Sequence, residues 1–160
     1  MWSTAVNTSV TTTTFTFTWD SSNRCVAAVL EYSGIQDLGE SSVFPSSAAN
    51  TSGSNANPQS SLSTQDNDNW IIFDFIREGT AVPTSNIGTL RLAAASSGGG
   101  PASNCSLAVV DNTVASPATV TGAITVAAGN WAGDCMEFRS ILPTAPSSVP
   151  NALMQVGVGI

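Results

Sequence analysis

No stretch of this chain spaces its apolar residues at intervals of three and four, as a helix face requires; where they are dense they alternate or run unbroken. That property confines the fold to strands. Residues 10–20 (VTTTTFTFTWD) show it plainly: Phe15, Phe17 and Trp19 alternate with Thr16 and Thr18, the pattern of a strand with one wet face. Turn chemistry at residues 20–23 (DSSN) leads into residues 24–32 (RCVAAVLEY), a nearly continuous apolar run that predicts a central strand.

Residues 35–69 are a mixture of Ser, Ala, Asn, Gly and Pro, which predicts a long loop with short edge strands near 41–44 and 59–64. A connection of that length is uncommon in a compact domain, so it is expected to lie over a sheet face or against a neighbouring subunit. Residues 70–77 (WIIFDFIR) predict a strand covered on both sides, with Ile71, Phe73 and Phe75 on one and Ile72, Asp74 and Ile76 on the other. Further strands are expected at 87–95, 107–111, 119–127 and 131–141, with a turn at 78–86 and a Gly-rich loop at 96–103. The total of about seven to nine strands predicts an all-β, two-layer antiparallel β-sandwich, jelly-roll or immunoglobulin-like. It would occupy residues 1–142, followed by a Pro/Ser linker at 143–150 (PTAPSSVP) and a C-terminal strand or assembly arm at 151–160.

Charge and composition narrow the function. The 160-residue chain has no histidine and no lysine, its four basic residues all being arginines, and a formal net charge of -7. It lacks the clustered cations that nucleic acid or an anionic membrane surface requires. No apolar run approaches the roughly 20 residues of a membrane-spanning helix. Without imidazole or ammonium there is no Ser-His-Asp or Cys-His arrangement and no lysine nucleophile. Only 9% of the residues are charged and about a quarter are Ser or Thr, a composition suited to the outside of a cell or a dense assembly. The first ten residues carry neither the basic nor the apolar part of a secretory leader, so export by another route is expected.

Residues 29–34 (VLEYSG), preceded by a Thr-rich aromatic strand and followed by residues 131–139 (WAGDCMEFR), carry a resemblance. In order and type they resemble a β-sandwich module that recurs in large extracellular bacterial proteins and in structural proteins of tailed phages. The resemblance implies a structural or adhesive module without catalytic residues. Such modules usually carry further strands upstream of the Thr-rich one, whereas this chain begins near it. An exposed edge or face would then need a cover, and the apolar Leu153, Met154, Val156, Val158 and Ile160 form the candidate arm, pairing in cis or with a neighbouring subunit.

Residues 66–69 (DNDN) offer Asp66 and Asp68 as hard oxygen ligands for calcium, without the Gly and distal Glu of an EF-hand loop. Glu31, Asp37 and Glu40 are the paired carboxylates a glycosidase would need, but Glu31 is expected in a structural ion pair with Arg139. Of Cys25, Cys105 and Cys135, the first and last lie in apolar strands, where buried thiols are expected ahead of a Cys25–Cys135 disulfide. Trp2, Trp19, Trp70 and Trp131 would make a sugar-stacking platform only if exposed, and core packing is expected instead.

The expectation is a nonenzymatic structural protein with no required cofactor, a phage virion protein such as a capsid decoration or minor capsid protein, its partners other subunits or a capsid protein. A carbohydrate-binding or adhesion module of an extracellular protein, or a filament subunit completed by strand donation, is the alternative.

Overall fold

The computed structural model describes residue 16, residues 26–30 and 32, residues 51–97, residues 104–140 and the backbone of 157–159. Among these residues the chain is all-β. Its strands are β1 (Ala27–Val29), β2 (Thr51–Gly53), β3 (Gln59–Ser63), β4 (Asn69–Glu78), β5 (Thr84–Ile87), β6 (Thr89–Ala95), β7 (Cys105–Val114), β8 (Thr119–Thr125), β9 (Trp131–Phe138) and β10 (Gly157–Gly159). A five-stranded sheet in the order β2-β9-β4-β7-β6 packs against a three-stranded sheet in the order β3-β8-β5, and every pairing is antiparallel. The expected two-layer sandwich is therefore present.

β4 organises the molecule because its sequence serves two faces. Ile71, Phe73 and Phe75 point between the sheets and meet Ala108 and Val110 of β7, Leu62 of β3, Ile124 of β8 and Cys135 of β9. Burying one such Phe or Ile side chain contributes about 1.5–3 kcal/mol, so this row is the main source of cohesion between the layers. Gly122 of β8 lets the sheets approach: a Cβ there would stand 2.4 Å from the Phe73 ring. Ile72 points to the opposite face, where Leu92, Leu107 and Val109 join it in a second apolar cluster. Ile76, at the end of the same row, is exposed.

Segment 26–32 covers that second cluster, and here the structure corrects the expected central strand. Val26, Ala28, Leu30 and Tyr32 pack on the five-stranded sheet, and all the described residues of the segment are half-buried. An unbroken apolar run suggests burial on both sides, but this run lies over a sheet instead of within one. Its backbone pairs with β10, Ala27 opposite Gly159, Ala28 opposite Val158 and Val29 opposite Gly157, as a two-stranded ribbon separate from both sheets.

Other departures are smaller. The edge strand expected near 59–64 is not among them: it is β3, at one edge of the three-stranded sheet, where it buries Ser60 and Leu62. The expected strand at 87–95 is broken by Gly88, whose φ of 101° turns the chain from β5 in one sheet to β6 in the other. β7 runs well beyond the expected 107–111 because it is paired with β4 along ten positions, from Asn69–Val114 to Glu78–Cys105. The strand expected at 10–20, apart from Thr16, the edge strand near 41–44 and the linker at 143–150 lie outside the described residues.

Candidate functional site

Where segment 26–32 crosses the five-stranded sheet, a polar cluster fastens it. β6 carries a bulge between Leu90 and Leu92: Leu90 pairs with Val110, Leu92 with Val109, and Arg91 is the extra residue. A bulge re-aims the side chain at the inserted position. Arg91 Nε donates to Asp111 Oδ2 at 2.6 Å, and its guanidinium lies 5.6 Å from the centre of the Trp70 ring. Asp111 is 1% exposed, so its charge needs compensation, and the Tyr32 hydroxyl donates a second, longer hydrogen bond of 3.3 Å to the same oxygen. The Tyr32 ring stacks on Phe138 at 6.0 Å and tilts against Trp70 at 6.1 Å. Burial first, and then the adjacent Asp111 carboxylate, push the Tyr32 hydroxyl well above the ordinary phenol range, so it stays protonated and donating. The hydrogen bond to Asp111 holds Arg91 above its ordinary value, so the guanidinium stays charged.

A second cluster occupies the loop expected to offer calcium ligands, and the loop is built the opposite way. Its amides, not its oxygens, converge. Glu137 of β9 is 0% exposed and accepts from the backbone N–H of Gln65 at 3.1 and 3.2 Å, that of Asp66 at 3.3 Å, and Asn69 Nδ2 at 2.7 Å. Asp66 Oδ2 accepts from Arg139 Nε at 2.5 Å, and Asp68 sits in the left-handed region with φ 54° where the loop turns. Among the described residues no group of three or more acidic, cysteine or histidine side chains is placed to hold a metal ion. Arg139 thus has Asp66 as an ion-pair partner, while Glu31, expected in that place, lies outside the described residues.

Asp74 and Asp134 face each other across β4 and β9, and the Asp134 backbone N–H donates to Asp74 Oδ1 at 3.0 Å. Burial, reinforced by the Asp134 charge, raises the Asp74 carboxyl above the usual carboxylate range. Cys135 is buried between the sheets, its Sγ 3.3 Å from Ser60 Oγ and donating to the Ser61 carbonyl at 3.8 Å; Cys25, its suggested disulfide partner, lies outside the described residues. Trp70 and Trp131 are both buried and give no sugar-stacking surface; Trp2 and Trp19 lie outside the described residues. Asn104, the acceptor of one glycosylation sequon, is buried as well. Of the candidate arm, Val158 falls within β10, whereas Leu153, Met154, Val156 and Ile160 lie outside the described residues, as do Asp37 and Glu40.

Sequence reasoning missed Tyr32, Arg91, Asp111 and Glu137 as an organised set. The available signal was a lone arginine inside an apolar strand (LRL) and single carboxylates at the ends of apolar runs, each of which demands a buried partner. Comparisons with family models, curated proteins and solved structures return no match.

Proposed function

We propose that the chain is a nonenzymatic structural subunit of a larger assembly, most specifically a phage virion protein of the capsid-decoration or minor-capsid kind. The observation that carries this reading is the β1–β10 ribbon. It joins two distant parts of the chain, pairs as a strand with neither sheet of the sandwich among the described residues, and rests on the five-stranded sheet through the side chains of segment 26–32. The same pairing made between copies builds an assembly with no new interface chemistry.

Composition supports the same reading. Few charges need to be desolvated when such a surface is covered, and the absence of histidine and lysine removes the commonest catalytic groups. The resemblance of residues 29–34 and 131–139 to a module of extracellular and tailed-phage structural proteins points the same way. A carbohydrate-binding module needs exposed aromatic faces, and both described tryptophans are buried. Electron microscopy of the native source particle tests the proposal. Density for the chain at a repeating lattice position on a virion surface is the expected result; an isolated monomer that takes no lattice position overturns it.

A further inference from the structure

At the end of the sandwich where β4 turns toward β5, one cross-strand row of the five-stranded sheet runs Gly53, Trp131, Arg77, Ser106 over β2, β9, β4 and β7. Three buried side-chain polar atoms among the described residues have no hydrogen-bond partner, and all three lie in this row: Arg77 Nε, Ser106 Oγ and Trp131 Nε1. Isolated orphans occur in native proteins. Three in one row are a feature of the site.

Arg77 decides what the row is for. It is 8% exposed, its one hydrogen bond among the described residues runs from Nη2 to the Ala128 carbonyl at 2.8 Å, and no described carboxylate pairs with it. A guanidinium is always charged, and a buried charge requires a counter-charge. The position is nevertheless shaped for arginine. A Cβ at Gly79 would stand 2.6 Å from Nη1 and one at Gly129 2.7 Å from Nη2, so the main chain of two turns closes over the group and fixes it. Gly79 has a φ of 112°, which holds the first turn in a conformation a side chain would strain. Ser106 is 0% exposed and stands directly opposite Arg77 in register, so its hydroxyl shares the same face of the sheet. Trp131 Nε1 lies against Gly53 over β2, on the flank of β9 away from Arg77, and is not counted among the donors.

We propose that Arg77 and Ser106 form a binding site for one small carboxylate. A single buried positive charge is neutralised by a single negative one, and a free guanidinium N–H on the same sheet face as an unpartnered hydroxyl suits the planar carboxylate group. A phosphate dianion would leave surplus charge buried. The occupant is either a free carboxylate or an acidic side chain of a neighbouring copy, of which this chain, with eleven Asp and Glu against four Arg, has a surplus. The site stands independently of whether the chain assembles.

The test is thermal unfolding of the full chain in sodium formate and in sodium chloride at equal ionic strength, for wild type, Arg77→Gln and Ser106→Ala. The expected result is a saturable rise in midpoint specific to formate, absent in Arg77→Gln, with half-saturation shifted several-fold upward in Ser106→Ala. If Arg77→Gln does not fold, Ser106→Ala and formate NMR line broadening with the wild-type chain carry the test. Coincident formate and chloride curves for wild type, or a formate increment unchanged in the variants that fold, overturn the proposal and leave the row to buried water. Light scattering in formate separates the sources. A fall in mass identifies the occupant as a neighbour's side chain; constant mass with the formate increment identifies a free carboxylate.

Discussion

Glu137 shows how one residue fixes a loop. Two backbone amides and Asn69 Nδ2 spend their hydrogen bonds on its carboxylate, and the side-chain oxygen Oδ1 of Asn69 in turn accepts from the Ser140 N–H at 3.3 Å. Glu137→Ala would orphan these donors, of which Asn69 Nδ2 is buried, and chemical unfolding should register a loss of about 3 kcal/mol. A loss under about 0.5 kcal/mol, the scale of a surface substitution, would contradict the role given to this carboxylate. Asp74 works in the opposite sense. Its folded-state carboxyl is raised, so the folded chain holds the proton more tightly than the unfolded one, and stability falls as pH rises from the unfolded value through the folded one. Asp74→Asn keeps an oxygen to accept from the Asp134 N–H and removes the charge. Its melting temperature should exceed that of wild type at neutral pH, with the difference shrinking as the pH falls toward ~4. A pH-independent difference would contradict the assignment.

Among the elements, legibility in the sequence follows how local the determinants are. β4, β8 and β9 are readable because alternation along each strand decides which face is covered, and Ile71, Phe73 and Phe75 do lie opposite Ile72. β5 was hidden in what reads as a turn, since its four residues (TSNI) are all exposed and carry no apolar signal. The β6 bulge was equally hidden, because an inserted residue becomes visible only against a partner strand. Segment 26–32 misled for a different reason: composition reports that a run is apolar, not whether it lies in a sheet or across one. Its hold on the sheet depends on Tyr32, through the Asp111 hydrogen bond and the stack on Phe138. Tyr32→Ala should therefore speed amide exchange at Ala27–Val29 while leaving β4 and β7 protected. Equal acceleration in β4 would mean that the segment is part of the core and not a cover over it.

For the whole molecule, the described residues form a sandwich of a five-stranded and a three-stranded sheet, with the ribbon on the outer side of the larger one. Among the site residues expected from the sequence, Arg139 pairs with Asp66, Glu31 lies outside the described residues, and Asp66 and Asp68 belong to a loop organised by Glu137. None of this was accessible to sequence reasoning, because each partner lies on a separate element and single charges carry no record of distance. Of the arm expected at residues 151–160, residues 157–159 form a strand; its partner, β1, was not legible. The central claim is that this arm links copies. The direct measurement is light-scattering mass across a range of concentrations for the intact chain and for a chain lacking residues 151–160, with near-UV circular dichroism to confirm that both sandwiches are folded. The expected result is a mass that rises with concentration for the intact chain and stays monomeric for the shortened one. Equal masses for two folded chains at every concentration would contradict it.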